Sequence, residues 1–451
     1  MIKDRLRLQI ITPSFYLPNG KLLKNKKRWM PGITMPYLAA LTPGNRNGEV
    51  DILLTDDRID EIDFTSHWDI VCLTVMTHQA TRAVEIVKEF KKRGVTVVIG
   101  GWHPTFFDDE LTRLCDTIMY GEAEDTWPQM IEDFKNGRLK KIYKPEKLPD
   151  LQNVPLPRWD LVNFKKFRIQ VMPIFTVRGC PHQCMFCEVA AVHGTKFRIR
   201  PMEQVVEEFK YVKSLGKDFF FIIDDNFASK KSYTKELLLN IDNMKLKWGC
   251  MWTLKASQDE ELLKIAQNAG LMNILMGMES INPETIKLMS KGHNSVEEYS
   301  GILQNLNKKG IFYTLSFIFG WDTDTEESFQ NTLRFINKNK VPMAFFRVLT
   351  PRKGTKLYDM FNEEDRILYK DGDPREYSIN KCIYTPKNFT PDELDARIWK
   401  MYRQMYSWKS MFKRGLLFPK LKKGYGLALG SNLFFYGGVR CNNQLNPQDY
   451  Y

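Results

Sequence analysis

Cysteine is scarce in this chain, with eight in 451 residues, too few for the disulfide framework that staples small secreted domains. No apolar run approaches the roughly 20 residues needed to span a bilayer, and the opening MIKDRLRLQIITP lacks the apolar core of a signal peptide. A cytoplasmic protein is the expectation, with peripheral membrane contact left open for its C-terminal part. Low-complexity segments are missing, as is any internal repeat beyond an alternation of strands and helices. At 43% hydrophobic and 27% charged residues, the composition excludes disordered, collagen-like and coiled-coil chains. Positive charge is in excess: 66 Lys and Arg against 54 Asp and Glu give +12. That balance favours acidic partners without choosing among nucleic acid, phosphorylated small molecules and an anionic membrane.

Between Leu6 and about Lys140, the segments LQIITP, VDILLTD, WDIVCLTVM, GVTVVIGG and DTIMYGE are nearly continuous in apolar residues, as parallel strands covered on both faces should be. ATRAVEIVKEFKKRG places Ala83, Ile86, Val87 and Phe90 at helical spacing and ends at Gly94. Residues 1–140 therefore predict a doubly wound α/β domain of Rossmann or flavodoxin type. Ligands in such sheets sit at the strand carboxyl ends, so Thr74, Met76, Thr77, Gly100, Gly101, Gly121 and Glu122 form the expected mouth.

Residues 141–169 carry Pro145, Pro149, Pro155 and Pro157 and read as a linker. Over 170–350, FRIQVMPIFTVRG, DFFFIID, GCMWTLKAS, MNILMGMES, IFYTLSFIFG and AFFRVLTP are six strand candidates. The helices between them start near Pro201, Lys231, Gln258, Pro283, Ser295 and Thr325. Such βα units predict a parallel barrel or an open partial (βα)6 barrel, with active residues at the strand C-termini. Residues 351–451 leave the alternation and read as a helical extension. Thr390 and Glu393 form a capping signature ahead of a helix in which Trp399, Tyr402, Met405, Tyr406 and Trp408 recur. From Ala396 to Pro447 there are ten basic residues and no acidic one. Those aromatics either make an interfacial face or pack the helix against the barrel while the lysines are solvated.

The cysteines that remain are concentrated. Cys180-Pro-His-Gln-Cys184-Met-Phe-Cys187 follows a predicted strand directly. Three thiolates can hold three corners of a [4Fe-4S] cube and leave one iron open. Structural zinc is the alternative, with His182 or a distant side chain as fourth ligand; it is disfavoured because no second Cys/His pair lies nearby.

This C-x3-C-x2-C loop at the end of a first barrel strand, with Phe186 before the last cysteine, resembles the radical S-adenosylmethionine (SAM) superfamily. The resemblance implies a [4Fe-4S] cluster on Cys180, Cys184 and Cys187 and SAM bound to its open iron. An electron passed through the cluster, from a donor such as flavodoxin or ferredoxin, then cleaves SAM. Met276-Gly277-Met278-Glu279-Ser280 is similar to the family's Gly-Glu segment near the SAM methionine, and Phe317-Ile318-Phe319-Gly320 to its glycine segment beside the adenine, where Phe186 also packs. Read from the residues alone, Glu279 either binds an ammonium or ribose hydroxyl or caps the helix near Pro283, and Gly320 either admits a flat ring or makes a turn. Lys255, Ser257 and Asp224-Asp225-Asn226 also stand at strand ends; the last is equally a cap and turn.

An α/β domain ahead of such a barrel, with VVIGGWHPT, IMYGEAEDTW, FRIRP and LTPRKGT, resembles the cobalamin-binding class B methylases of that superfamily. The resemblance implies cobalamin, held without a protein histidine because none of the six histidines stands in an Asp-x-His-x-x-Gly motif. A vestigial domain and ligation by His103 are the other readings. The implied chemistry is methylation of an unactivated carbon of a small-molecule, lipid or peptide substrate. Cyclisation, rearrangement or coupling without methyl transfer is the alternative within the group. An RNA methylthiotransferase is disfavoured, because only Cys72 and Cys115 precede the loop where that family needs three cysteines, and nucleic acid is not an expected partner. A non-enzymatic cofactor sensor is the reading from another class.

Overall fold

A computed structural model describes residues 5–17, 19–369, 381–416 and 425–441. The chain forms two compact units. One holds the described residues up to Gln170 together with Arg198–Gln204; the other holds Val171–Phe197 and the remaining described residues from Val205 on.

In the first unit β1 (Leu6–Thr12), β2 (Val50–Asp56), β3 (Ile70–Thr74), β4 (Thr96–Gly100), β5 (Thr117–Met119) and β6 (Ile142–Tyr143) form one parallel sheet in the order β2-β1-β3-β4-β5-β6. Successive side chains serve opposite faces. Val71, Leu73, Val97 and Ile99 pack on the helix Ala80–Lys92 through Ala83, Ile86, Val87 and Phe90, whereas Ile70, Cys72 and Val98 pack with Leu38, Trp127 and Met130. Both faces being covered explains the continuous apolar strands, each buried large aliphatic side chain contributing about 1.5–3 kcal/mol. The chain crosses from one side of β1 to the other between β2 and β3, so the switch point lies between the C-terminal ends of β1 and β3.

The stretch expected as a linker is built into this unit. It supplies β6, buries Leu151 and Trp159 completely, and holds Arg158, whose backbone N–H donates to the Pro36 carbonyl at 2.9 Å. Its prolines suppress regular structure, and packing rather than periodicity fixes it.

The second unit contains β7 (Met172–Ile174), β8 (Phe219–Ile222), β9 (Lys247–Met251), β10 (Leu271–Glu279), β11 (Tyr313–Phe319) and β12 (Met343–Val348). They pair in parallel and in sequential order. Helices Lys231–Ile241, Glu260–Asn268, Pro283–Leu288, Tyr299–Lys309 and Glu326–Lys338 lie between them in the chain. This is a six-stranded partial (βα) barrel.

The barrel's edge at β12 is capped by side chains. The helix Pro391–Met405 starts at the expected capping box: Thr390 N–H donates to Glu393 at 2.8 Å, and Glu393 N–H to the Thr390 hydroxyl at 3.3 Å. At the helix's far end the Tyr402 hydroxyl accepts from Phe346 N–H and donates to Phe346 C=O, both at 3.0 Å. Tyr406, just beyond, donates to Ala344 C=O at 2.7 Å and accepts from Ala344 N–H at 3.4 Å. Two phenols thus satisfy backbone groups that an open edge strand would leave unpaired. Tyr402, Met405 and Tyr406 are buried, while Trp408 is 48% exposed. Tyr402 and Tyr406 therefore pack the helix onto the barrel.

Candidate functional site

The three cysteines occupy the loop that follows β7, all half-buried and none in a disulfide. Gly179 opens the loop at φ 89°, where a Cβ would collide with the Lys196 carbonyl, so only glycine admits this backbone. The loop is pinned on both sides: Cys180 N–H donates to Gly194 C=O (3.2 Å) and Met185 N–H to Met289 C=O (3.1 Å). Beneath it, buried Asp224 accepts from Thr176 N–H at 2.6 Å and Val177 N–H at 3.1 Å, tying the end of β8 to the approach to the loop. That contact gives Asp224 a structural role.

Burial raises the thiols of Cys180 and Cys184 and pushes Cys187 up to about 11; Cys187 also feels the charge of Cys184, Asp225 and Cys180. The three sulfurs are close enough to influence one another. Among the described residues, no three His, Cys, Asp or Glu side chains converge as a single metal ion requires. By contrast Cys72 and Cys115 are core thiols, pushed by burial up to about 12 and about 11.

Glu279 ends β10 at φ 65°, a left-handed conformation rare for its residue type, and is buried. It does not cap the following helix, because Asn282 does so by accepting from Glu284 N–H at 3.0 Å. Its Oε1 accepts from Lys291 Nζ at 2.8 Å. Its Oε2 is buried without a hydrogen-bond partner among the described residues. Gly277 permits this crowding, since a Cβ there would collide with Glu279 Oε1 and come within 2.8 Å of Lys291 Nζ. Lys291 Nζ lies 5.9 Å from the Phe186 ring centre. Burial opposes its charge, but Glu279 and Cys184 prevail and hold its pKa above the ordinary lysine value. Phe186 in turn meets Trp321 edge-on at 6.0 Å, and the Trp321 indole N–H is also buried without a partner among the described residues.

The other barrel residues expected at the site divide. Ser280 uses its hydroxyl locally, accepting from Asn282 N–H at 3.1 Å. Lys255 is exposed on the short helix Leu254–Gln258. Ser257 is a correction: it is fully buried, accepts from Trp252 Nε1 at 2.9 Å and lies 3.2 Å from Met276 Sδ, so no group of it is left for a ligand. Gly320 is a second correction. Its φ of 107° demands glycine, but a Cβ would meet Tyr384 and Leu394, not open space. Its carbonyl accepts from the Tyr384 hydroxyl and its N–H donates to Asp324 at 2.9 Å. The Cβ direction at Gly320 is taken by the chain's own Tyr384 and Leu394.

In the first unit the expected mouth residues do stand at strand ends. Thr74 ends β3 with its hydroxyl 3.2 Å from that of Thr12 at the end of β1. Met76 and Thr77 follow, Met76 being 37% exposed. Gly100 ends β4, and Gly101, at φ 105°, lies so close to the Val75 backbone that a Cβ would sit 2.8 Å from its carbonyl oxygen. Gly121 follows β5 at φ 68° and is exposed. Glu122 is a third correction, because its buried carboxylate is taken by a bidentate pair with Arg198, one leg at 2.7 Å. His103 is fully buried in the short helix Trp102–Phe106 that follows β4, with Nε2 on Asp109 at 2.8 Å and Nδ1 without a partner among the described residues.

The sequence reading missed Lys291, Trp321 and Tyr384. A lysine twelve residues beyond Glu279 and a tryptophan directly after Gly320 were available signals; Tyr384, 64 residues away from Gly320, left none. The residues present nonetheless fit the expected groups. Three clustered thiols are the soft donors an iron–sulfur cluster takes. Among the described residues Glu279 Oε2 and Trp321 N–H are a buried acceptor and a buried donor without partners, as an amino-acid head and a purine require. Glycine and threonine at the switch point of the parallel sheet make a small-residue rim where a flat corrin can approach closely.

Two family models match the chain: the radical SAM superfamily over residues 174–336 and the B12 binding domain over residues 32–131. The bacteriochlorophyllide d C-12(1)-methyltransferase of Chlorobaculum tepidum is 30% identical over 415 residues, covering 87% of this chain and 90% of that one. The C-8(2)-methyltransferase of the same organism is 31% identical over 404 residues, covering 86% and 88%. Among solved structures, the radical SAM methyltransferase TsrM from Kitasatospora setae, with cobalamin and a [4Fe-4S] cluster bound, superposes with a TM-score of 0.66 at 15% identity over 97% of this chain and 99% of that one. The cobalamin-dependent radical enzyme OxsB with aqua-cobalamin superposes with a TM-score of 0.71 at 16% identity, over 97% and 72%. At such identities the superpositions speak to fold.

Proposed function

This chain belongs to the cobalamin-dependent radical SAM methyltransferases, and we propose that it transfers a methyl group to an unactivated carbon of a small-molecule substrate, with lipids and peptides as the other acceptor classes. The observation that carries this reading is the thiol loop at the end of β7 beside the half-satisfied Glu279 carboxylate. When bound, the cluster supplies an electron, SAM a hydrogen-abstracting fragment and methyl groups, and cobalamin the methyl carrier.

The chain's own residues hold and orient. Cys180, Cys184 and Cys187 hold the cluster. Glu279 Oε2 accepts from the SAM ammonium, while Gly277 lets the carboxylate lie tight against the strand. Phe186 and Trp321 would flank the adenine, with the Trp321 N–H available to it as a donor. Thr74, Met76, Thr77, Gly100, Gly101 and Gly121 would line the corrin's side of the first unit. Ser280 shapes the turn under Glu279, and Lys255 stands at the barrel's rim. A flavodoxin or ferredoxin supplies the electron. No helix among the described residues is long and apolar enough to cross a membrane. The exposed Trp408, Phe412, Leu433 and Phe434, with Lys409 and Lys413 alongside, support peripheral contact with an anionic bilayer.

Two of the relatives act on bacteriochlorophyllides, which puts a flat macrocycle first among acceptors to try. The test is anaerobic turnover with deuteromethyl SAM, reading 5′-deoxyadenosine, S-adenosylhomocysteine and mass gain of the acceptor. Formation of both SAM products with label in the acceptor supports the reading. Deoxyadenosine alone moves the chemistry to a rearrangement or coupling, and neither product from cluster-loaded protein contradicts it.

A further inference from the structure

The thiol loop is anchored unevenly. Backbone bonds fix it at Cys180, whose N–H donates to Gly194 C=O at 3.2 Å, and at Met185, whose N–H donates to Met289 C=O at 3.1 Å and whose C=O accepts from Leu357 N–H at 2.9 Å. Between these points Pro181 and Gln183 are exposed, and the His182 N–H turns back to the Cys180 sulfur within the loop. Among the described residues no backbone hydrogen bond ties residues 181–184 to another element. What meets this span is a ring. His182 stacks on His293, with centroids 3.8 Å apart and planes 21° from parallel. Neither imidazole hydrogen-bonds to another side chain or backbone group among the described residues, so the faces and not the nitrogens make the contact.

His293 stands on a fixed base. It lies in the turn 289–294, directly after the helix Pro283–Leu288. In that turn Lys291 Nζ donates to Glu279 at 2.8 Å and Asn294 Nδ2 to Gly277 C=O at 3.1 Å, so the turn is bound at two points to the end of β10. The same turn touches the thiol loop on both sides of Cys184, through the Met289 carbonyl at Met185 and through the stack at His182. The wider gap of the C-x3-C-x2-C spacing is therefore held by a side-chain stack where the fold supplies no backbone bond.

We propose that His293 is a positioning residue that acts through His182 to preset the span from Cys180 to Cys184, so that these two thiolates are spaced to take the cluster and slow to release it. Every loop residue left loose has to be ordered when the cluster binds, and the stack meets that cost in advance. The proposal rests on the cluster reading above and extends it to two side chains that ligate nothing.

The test is cluster release from full-length protein. Wild type, His293→Ala, His293→Phe, His182→Ala and the double alanine variant are reconstituted anaerobically and challenged with a ferrous chelator, and iron release is followed by absorbance. His293→Ala and His182→Ala each release iron on the order of 3- to 10-fold faster, as for the loss of one ring stack, and the double variant is no faster than either, because one contact is lost in all three. His293→Phe keeps a flat ring without the nitrogens and stays within about 2-fold of the wild type. Wild-type release from His293→Ala, release from His293→Phe as fast as from His293→Ala, or a double variant whose effect is the product of the singles overturns the proposal and leaves the cluster reading intact. A cluster-free His293→Ala that melts more than about 3 °C below the wild type also opposes it, as a general loosening of the fold. Should His293→Ala take up no iron, His293→Phe decides: full loading supports the stack, and none opposes it. A wild type that takes up no iron overturns the cluster reading together with the proposal.

Discussion

Tyr402 and Tyr406 give the structure its sharpest energetic test, because each can lose one oxygen and little else. Tyr402→Phe leaves a ring that still packs edge-on against Phe346 at 5.2 Å, and Tyr406→Phe one that still stacks on Phe435 at 4.9 Å. Only the hydroxyls go, and with them the partners of one N–H and one C=O on each of two buried residues of β12. A buried polar group left unsatisfied costs about 1–3 kcal/mol. Tyr402, with both bonds at 3.0 Å, should therefore be worth about 3 kcal/mol. Tyr406, whose second bond is stretched to 3.4 Å, should be worth about 1–2 kcal/mol. The double variant should lose about 4 kcal/mol, less any coupling along the shared strand, and melt on the order of 10 °C lower for a unit of this size. Urea denaturation followed by far-ultraviolet circular dichroism, with thermal scans beside it, reads both quantities. A double variant within about 1 °C of the wild type would refute the claim that the phenols close the barrel edge.

Further expectations follow from the same contacts. Changing any one of Cys180, Cys184 or Cys187 to Ala should remove the cluster, read as lost iron and lost charge-transfer absorbance; a variant retaining full iron would sink the ligand assignment. Buried Asp324, pushed up to about 6 despite hydrogen bonds from Gly320 and Trp321, binds its proton more tightly in the native than in the unfolded state. Its contribution to stability is present below about pH 4 and falls by up to about 3 kcal/mol as pH rises to about 6. Urea midpoints of the wild type minus those of Asp324→Asn should decline across that window, and a flat or rising difference opposes this. At the C-terminal surface, Trp408→Ser with Phe412→Ser should abolish cosedimentation with anionic vesicles, and Lys409→Gln with Lys413→Gln should weaken it about 25-fold. A wild type that ignores such vesicles ends the membrane reading.

The barrel was legible because each of its strands is an apolar run long enough to stand out, and because Thr390 and Glu393 write a helix start in two letters. The C-x3-C-x2-C spacing was legible for the same reason, its ligands lying within eight residues. β6 escaped because two residues beside a lysine-rich turn carry no period. Ser257, Gly320 and Glu122 were misread through contacts that spacing does not show. Ser257 lies against Met276, Gly320 under Tyr384, and Glu122 on Arg198, 76 residues away. Gly320 and Glu122 do follow strand ends, whereas Ser257 lies on the short helix Leu254–Gln258 beyond β9; which partner arrives there depends on tertiary packing. Lys291 was lost for the opposite reason, as a single lysine in a basic chain looks like surface until the fold buries it.

The central claim is that one chain carries both an iron–sulfur cluster and cobalamin. Anaerobic purification from cells supplied with iron and cobalamin, followed by ultraviolet-visible spectroscopy and iron, sulfide and cobalt analysis, tests it most directly. The account predicts about four irons and about one cobalt per chain, with iron abolished and cobalt kept when Cys184 is changed to Ala. Iron without cobalt, or a single metal ion in place of a cluster, would contradict it.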